Sequence, residues 1–225
     1  KYLATSIREA SYDLASMAAS STKVFILEVM GRHTGWLAAA TGIATDRHHD
    51  APHIILFPEQ VFNPELFLKK VQACVKKFGF CTVVVSEGIK DQSGNLVQAS
   101  TKSIDEFGHA QLGGVAHLIA NLIKKQLGLK YHYAVADYLQ RAARHIASKT
   151  DLEHAYAVGR KAVELAIAGE NAMMATIVRE HNSPYAWRVD SAPLKEIANF
   201  EKTLPPEFID EEGFHITQAC RDYLL

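Results

Sequence analysis

The segment Met30-Gly31-Arg32 has the residue types of an anion-binding turn. It follows an apolar run, VFILEV, and precedes an alanine-rich stretch that is expected to be helical. Where a strand leads into a helix, free backbone N–H groups and the positive end of the helix dipole favour a negatively charged group. Arg32 would add a cation there, and Gly31 would let the backbone approach a ligand closely. The turn therefore indicates a site for an anion.

Two other segments place polar side chains directly after apolar runs. Glu87 and Gly88 follow the run TVVVS, and Asp137–Arg141, DYLQR, follows an alternating run at 130–136. Ligands of open parallel sheets bind beyond the carboxyl ends of the strands. These segments are therefore expected to converge with the Met30-Gly31-Arg32 turn in one crevice.

The side chains at these three places suit a sugar phosphate. Arg32 and Arg141 can form charge-assisted hydrogen bonds to phosphate oxygens, and Tyr138 can add a neutral donor. The Glu87 carboxylate can accept hydrogen bonds from sugar hydroxyls. Each residue alone is also typical of a solvated surface, so the interpretation depends on the three occurring together at strand ends.

The elements that must position these residues alternate between strand and helix along the chain. This alternation predicts an α/β fold, with a parallel sheet covered by helices on both faces. Strands are predicted at 23–30, 54–57, 82–85, 130–136 and 173–178. Helices are predicted at 3–18, 35–45, 64–78, 112–127 and 150–169 and near the C-terminus, and 90–107 is expected to be a loop or lid.

Two helix starts have recognisable sequence signals. Asn63 followed by Pro64 is typical of an N-cap and a first helical residue, and Gly79 is typical of the end of that helix. The segment Thr150–Glu153, TDLE, predicts a capping box that opens a later helix.

Composition limits the classes of partner. The chain has 225 residues, with 24 Lys and Arg against 25 Asp and Glu, and its net charge of −1 gives no general attraction to nucleic acid or an anionic membrane. Three cysteines, Cys74, Cys81 and Cys220, without a CxxC motif, indicate reduced thiols. No apolar run approaches the about 18 residues of a membrane span. Because the chain starts at Lys1 within a helical pattern, we expect it to be part of a longer protein.

Catalytic and metal-binding motifs are not apparent in the sequence. His33 and the adjacent His48-His49-Asp50 lack the spacing of metal ligands, so a solvated turn is expected at 48–50 and no metal site is predicted. The Walker, GxSxG and GxGxxG motifs do not occur. A general base would therefore have to lie elsewhere.

Three stretches, EVMGRHTGWLAAATGIA, VVVSEGI and KYHYAVADYLQRAARHIAS, resemble the 6-phosphofructokinases and most closely their bacterial pyrophosphate-dependent branch. The resemblance covers nearly the whole chain, and MGR and YLQR are specific in combination. It implies a phosphofructokinase-like, Rossmann-type parallel sheet flanked by helices. It also implies three regions: 1–22 as the end of an N-terminal, donor-binding lobe, 23–190 as the substrate-binding α/β lobe, and 191–225 as a C-terminal extension packing back on the fold.

The resemblance assigns roles to individual residues. Met30-Gly31-Arg32 matches the fructose 6-phosphate-binding turn, and Glu87 matches the carboxylate that holds the sugar hydroxyls. Tyr138 and Arg141 match the pair that binds the 6-phosphate. Lys23 falls where the family has a cation that often reaches the neighbouring subunit's site.

Two features bear on the branch of the family. Many ATP-dependent relatives have histidine at the position of Tyr138, so the tyrosine favours the pyrophosphate type. Lys130 and His132 both fall near an arginine of the ATP-dependent members, and which of them contacts the 6-phosphate is left open.

The implied activity is transfer of a phosphoryl group from pyrophosphate, with Mg²⁺, to the 1-hydroxyl of fructose 6-phosphate in glycolysis. We expect a cytoplasmic homodimer or tetramer without nucleic-acid or membrane partners. The general-base aspartate and the Mg²⁺ ligands are expected upstream of Lys1, so the chain alone is expected to be inactive. Three alternatives remain: an ATP-dependent 6-phosphofructokinase, a non-catalytic regulatory subunit, and an α/β domain without a site.

Overall fold

A computed structural model describes residues 1–45, 50–97 and 114–225 of the protein. These residues form two compact units, one of Lys1–Ala143 with Thr203–Leu225 and the other of Arg144–Lys202. The boundary after Ala143 lies inside the predicted 23–190 lobe, and the division into lobes stays a prediction. Among the residues that the structure describes, no helix is both long enough and apolar enough to span a membrane.

The first unit contains a parallel sheet of four strands in the order β2-β3-β1-β4. The strands are β1 (Val24–Val29), β2 (Ile54–Leu56), β3 (Cys81–Ser86) and β4 (Tyr131–Val135). Every strand pair in this sheet is parallel. The predicted α/β fold with a parallel sheet is therefore confirmed.

Helices cover both faces of this sheet. The helices of the first unit are α1 (Tyr2–Met17), α2 (Trp36–Thr41), α3 (Pro64–Phe78) and α4 (Val115–Leu127). A further helix of this unit, Gln218–Leu224, lies near the C-terminus and follows the second unit's helix in chain order. Alternate residues of a strand point to opposite faces. Val24 and Ile26 of β1 accordingly pack with α3 and α4, whereas Leu27 and Val29 pack with α1 and α2. Strands β1, β2 and β3 are therefore buried between two apolar layers, whereas β4 is largely exposed.

Helix α3 begins and ends as its sequence predicts. The Asn63 side chain accepts a hydrogen bond from the N–H of Leu66 at 3.0 Å, and Pro64 is the first helical residue. Gly79 ends the helix with φ 85°, a left-handed conformation that glycine adopts easily. The helix is therefore fixed at both ends by local chemistry.

The predicted loop or lid at 90–107 is described only as far as residue 97, and the predicted turn at 48–50 is described only at Asp50. The predicted helix at 112–127 is found from Val115 onward, and its residues 112 and 113 lie outside the described residues.

The second unit consists of α5 (Lys149–Ile167) and a two-stranded antiparallel sheet. The predicted N-cap at Thr150 is wrong. The N-cap is Ser148, two residues earlier, because the Ser148 side chain accepts the N–H of Asp151 at 3.0 Å. The same capping chemistry is therefore used, but by the upstream hydroxyl.

The antiparallel sheet pairs β5 (Met173–Asn182) with β6 (Tyr185–Pro193). The sequence predicts a strand at 173–178 as one of a parallel series, and it predicts no strand at 185–193. The strand at 173–178 is confirmed as part of β5, but its place in a parallel series is wrong, because β5 pairs antiparallel with the unpredicted β6 in a separate sheet. The turn residues Ser183 and Pro184 lack the Asn-Gly or Asp-Gly signal by which short hairpins are recognised. The C-terminal helix α6 (Gln218–Leu224) returns to the first unit, where Cys220 is buried with α1 and α2.

Candidate functional site

The carboxyl ends of three neighbouring strands bring the predicted segments into contact. Strand β1 lies between β3 and β4, so the turns that follow the three strands are adjacent. The Gly31 N–H donates to Glu87 Oε1 at 3.1 Å, and the Met30 N–H donates to Gln140 Oε1 at 3.3 Å. The Met30-Gly31-Arg32 turn is thus held on one side by the end of β3 and on the other by the segment after β4.

Gly31 is held closely by the end of β3. Its φ is 151°, and an added Cβ would lie 2.6 Å from Ser86 Oγ and 2.7 Å from the Thr34 carbonyl oxygen. The Ser86 hydroxyl donates to the Gly31 carbonyl at 2.6 Å. The N–H and C=O groups of Gly31 are therefore both used to fix the turn, and a side chain at this position would separate the two strand ends.

Gly88 makes an equally close approach from the other side. An added Cβ there would lie 2.0 Å from the carbonyl oxygen of Arg32 and 2.3 Å from that of Gly31. The backbone after β3 therefore passes directly against the turn after β1. The sequence places Gly88 at a strand end, but its role in this contact depends on a neighbour that is distant in the chain.

The segment after β4 forms a short 3-10 helix, Asp137–Gln140, followed by Arg141. The Gln140 side-chain N–H donates to the Asp137 carbonyl at 2.9 Å, while its oxygen accepts the Met30 N–H. Gln140 therefore connects the two strand ends, a role that the sequence analysis missed. The YLQR motif itself contains it, and that is the signal that could have identified it.

Tyr138 and Arg141 lie next to each other on the surface of this segment. The Arg141 guanidinium carbon is 5.4 Å from the centroid of the Tyr138 ring. The backbone N–H of Arg141 donates to the backbone carbonyl of Tyr138 at 3.0 Å. Tyr138 is 66% exposed. Arg32 is partly exposed in the turn after β1. The structure thus brings a cation and a phenol to the edge where the Glu87 carboxylate contacts the turn.

A buried carboxylate, Glu28, lies beneath this edge. It belongs to β1, is 2% exposed, and its Oε2 accepts the N–H of Ala116 at 2.7 Å at the start of α4. Burial raises the pKa of Glu28 and the charge of Glu87 adds to the increase, whereas backbone N–H groups at the start of α4 oppose it. Within the predicted apolar strand VFILEV, this residue was not among the predicted site residues. A carboxylate inside an apolar run was the available signal.

Lys23 lies at the amino-terminal end of β1, at the opposite end of that strand from the Met30-Gly31-Arg32 turn. It precedes β1, and its ammonium group donates to the carbonyl of Ala18. The strand between Lys23 and the Met30-Gly31-Arg32 turn has 6 residues, which at roughly 3.3 Å per residue separates them by about 20 Å. The structure therefore does not bring Lys23 to the other predicted residues within this chain.

Lys130 and His132 lie at the amino-terminal end of β4, beside the end of β1 that Lys23 precedes. The Lys130 ammonium donates to Ser21 Oγ at 2.8 Å, before β4 begins. His132 is exposed on β4 and pairs with Phe25 of β1. Both residues therefore lie near the start of β4, away from the turns that follow β1, β3 and β4.

Within residues 1–45, 50–97 and 114–225, no group of three or more His, Cys, Asp or Glu side chains is arranged to hold a metal ion. The side chains carried by the strand-end turns include two guanidinium groups, a phenol and a carboxylate. Such a set is suited to recognition of an anionic, hydroxyl-bearing ligand.

An open parallel sheet with polar turns at its carboxyl edge defines a ligand-binding α/β fold. The phosphofructokinase family model matches residues 4–166, and the chain belongs to the phosphofructokinase family. The family resemblance noted in the sequence is confirmed.

The chain is similar along its whole length to two bacterial phosphotransferases. It is 60% identical to the pyrophosphate–fructose 6-phosphate 1-phosphotransferase of Methylococcus capsulatus, over 100% of this chain and 53% of that enzyme. It is 57% identical to the enzyme of the same name from Halomonas elongata, again over 100% of this chain and 53% of that one. This chain spans about half the length of these relatives.

A solved structure of a pyrophosphate-dependent phosphofructokinase is also similar to this chain. The crystal structure of the pyrophosphate-dependent phosphofructokinase from Nitrosospira multiformis matches with a TM-score of 0.87 at 54% sequence identity. The match covers 100% of this chain and 52% of that one.

Proposed function

We propose that this chain forms the fructose 6-phosphate-binding half of a pyrophosphate-dependent phosphofructokinase. The observation that carries the proposal is the contact between the three strand-end turns, through the Gly31 and Met30 N–H groups. These contacts gather Arg32, Glu87 and the Tyr138–Arg141 pair at one edge. The similarity to the named relatives along the whole chain supports the same substrate.

The proposed roles follow from the chemistry of each side chain. Arg141 and Tyr138 would bind the 6-phosphate, the first through charge-assisted N–H donors and the second through its hydroxyl. Arg32 would supply a further cation from the turn after β1. Glu87, with Oε1 oriented by the Gly31 N–H, would accept hydrogen bonds from sugar hydroxyls through its remaining acceptor positions. Met30 and its neighbours would form the surface against which the sugar is placed.

The reaction would be transfer of a phosphoryl group from pyrophosphate to the 1-hydroxyl of the bound sugar. Phosphoryl transfer is catalysed largely by positioning and by charge stabilisation. This half would hold the acceptor in place, while the general-base aspartate and the pyrophosphate site would lie outside these 225 residues. The chain alone would therefore bind the sugar phosphate without turning it over.

Magnesium would neutralise charge on the phosphoryl group in such an enzyme. The family resemblance implies that the Mg²⁺ ligands lie upstream of Lys1, and we assign no step to the metal here.

Lys23 would act in a homodimer or tetramer. Its position at the edge of the sheet away from the strand-end turns supports a role in a neighbouring subunit's site. In a symmetric oligomer every subunit would then give one cation and receive one.

Two measurements test the function. The first is binding of fructose 6-phosphate to the 225-residue chain by calorimetry, with Arg141→Ala as the site variant. The second is phosphorylation of fructose 6-phosphate, with Mg²⁺ and either pyrophosphate or ATP, by a protein that joins this chain to the donor-binding half of its relatives.

Activity with pyrophosphate alone would support the proposal. Activity with ATP would keep the sugar site and change the donor, as in the ATP-dependent branch. Binding without activity would indicate a regulatory subunit, and no binding by either protein would refute the site.

A further inference from the structure

A cavity of about 260 Å³ opens at the opposite edge of the sheet from the strand-end turns. It lies beside α3 and the residues that precede β2, and it is lined chiefly by Cys74, Lys70, Lys77, Asp50 and His53. None of these residues has a part in the proposed sugar-phosphate site. The cavity gives a path from solvent to the Cys74 side chain, which is itself only 6% exposed.

Two cations flank Cys74 on its own helix. Lys70, Cys74 and Lys77 are spaced by four and three residues, so they share one face of α3. Lys70 also forms an ion pair with Glu212, and the Lys77 ammonium lies 4.4 Å from the centroid of the Phe78 ring. The carboxylate of Asp50 also lines the cavity, together with the two ammonium groups.

A second thiol lies behind the first. Cys81 is the first residue of β3, is completely buried, and belongs to the same apolar cluster as Cys74. The two thiols are neighbours in this cluster, and each affects the pKa of the other. The pair therefore consists of one cysteine that lines a cavity and one that is buried behind it.

The cysteine at the cavity has the lower pKa of the two, and the buried cysteine has the higher. Interaction with the Cys81 thiol lowers the pKa of Cys74, with help from Lys70 and Lys77 and against the effect of burial. Burial raises the pKa of Cys81 well above its ordinary value. Cys220, which is buried away from this pair, has a pKa raised to about 11 by burial. Since the thiolate is the nucleophile, Cys74 should be the most reactive of the three.

We propose that Cys74 is a hydroperoxide-reactive thiol and that Cys81 converts its oxidised form into a disulfide. The Cys74 thiolate attacks one peroxide oxygen, so that an S–O bond forms as the O–O bond breaks, and the leaving alkoxide or hydroxide takes up a proton. Cys74 becomes a sulfenic acid. The Cys81 sulfur then attacks the Cys74 sulfur as it loses its proton, and hydroxide leaves with that proton as water. Two thiols lose two electrons in total, and one peroxide gains them.

The test exposes the native chain to a small excess of hydrogen peroxide and counts free thiols by maleimide labelling and mass spectrometry after denaturation. We expect Cys74 and Cys81 to disappear together and to return on reduction, while Cys220 keeps its label. In Cys81→Ser, a sulfenic acid at Cys74 should persist and react with dimedone, whereas Cys220→Ser should behave as the unmodified chain. Loss of Cys74 without a disulfide would overturn the role of Cys81.

A matched pair of exposed lysines provides a control that leaves the core intact. Lys77 lines the cavity and its neighbour Lys76 does not, and both are exposed on α3. Lys77→Gln should slow oxidation of Cys74 by about two- to fivefold, because the thiolate loses a nearby cation. Lys76→Gln should leave the rate unchanged. Equal rates in the two variants, or oxidation of Cys74 no faster than that of Cys220, would refute the proposal.

Discussion

Arg141 and Tyr138 are held side by side by a short turn in which the Tyr138 carbonyl accepts the backbone N–H of Arg141. The side-chain amide of Gln140 links their segment directly to the Met30-Gly31-Arg32 turn. At this scale the candidate site is a set of exposed polar groups fixed by hydrogen bonds to backbone atoms. The exposed groups and the fixing groups can therefore be tested separately.

Replacing Arg141 by alanine should weaken sugar-phosphate recognition. Loss of the charge-assisted contact to the 6-phosphate should cost roughly 2–4 kcal/mol of transition-state binding and raise the KM for fructose 6-phosphate. Steady-state kinetics of the joined protein measures this effect. Arg160→Ala is the control, since Arg160 pairs with Glu164 on the surface of α5. A change in kcat/KM of less than about threefold would count against the assignment.

Gly88→Ala should disrupt the fixing groups instead. The new methyl would meet the Arg32 carbonyl oxygen at 2.0 Å, so the two turns must move apart. We expect a loss of about 1–3 kcal/mol in the free energy of unfolding, together with weaker fructose 6-phosphate binding. Urea unfolding and calorimetry measure the two effects.

Gly159→Ala is the matched control for this substitution. Gly159 lies within α5, and an added Cβ there would have no atom within 4 Å. Alanine at that position should leave stability equal or raise it by up to about 1 kcal/mol. Similar losses in both variants would show that the contact at Gly88 is not the cause.

The link between β1 and α4 depends on one buried carboxylate. Glu28 accepts a hydrogen bond at the start of α4, while the carbonyl of the same residue accepts the N–H of Ala136 at 2.9 Å after β4. One residue of the central strand thus holds both a covering helix and a neighbouring strand end. Its carboxyl is charged or neutral according to pH, which makes this link titratable.

Glu28→Gln should change how stability depends on pH. Burial raises the folded-state pKa of Glu28 above the ordinary 4.5, so the folded state binds the proton more tightly than the unfolded state. The stability from this group is fully present below its unfolded-state pKa and is lost as pH rises through its folded-state pKa. Glutamine does not titrate.

The original chain should therefore lose stability relative to Glu28→Gln as pH rises above about 4.5, by at most roughly 1.4 kcal/mol per pH unit. Urea unfolding of both proteins at several pH values measures the difference. A difference that does not vary with pH would contradict the effect of burial.

Local signals in the sequence predicted the elements well where the chemistry is local. Asn63 and Gly79 fix the ends of α3 through groups a few residues away, and apolar runs identify the four strands of the parallel sheet. Thr150 shows the limit of such signals, because Ser148 offers the same hydroxyl two residues earlier. The β5–β6 hairpin was missed because its turn contains Ser183 and Pro184.

The candidate site was predictable only in part. The polar residues after β1, β3 and β4 could be identified once ligands were expected beyond strand ends. The sequence offers a signal for Gln140 and for Glu28, but the contacts of these two residues and of Gly88 could not be predicted, because each depends on an atom that is distant in the chain and close only in the fold. Residue type alone does not reveal such contacts.

For the whole molecule, Lys23 raises the question of assembly. It lies at the edge of the sheet away from the strand-end turns, and our proposal assigns it to the site of a neighbouring subunit. In that arrangement two different defective subunits could together form an intact site.

Mixing subunits of the joined protein that carry Lys23→Ala with subunits that carry Arg141→Ala should restore activity. In a dimer of the two, one site would receive Lys23 from one subunit and Arg141 from the other. Random pairing would then give about a quarter of the original activity. Each variant alone should stay low, and mixtures that recover nothing would place Lys23 outside the neighbouring site.

The central place of β1 also affects the order of events in folding. Its partners β3 and β4 lie far along the chain, whereas β5 and β6 are joined by a short turn. Distant partners pair slowly because a long loop must close before the contact forms. The strand-end turns can meet only after both pairings are complete. Ligand binding should therefore appear with the slowest phase of refolding, and it would report that the sheet has been assembled.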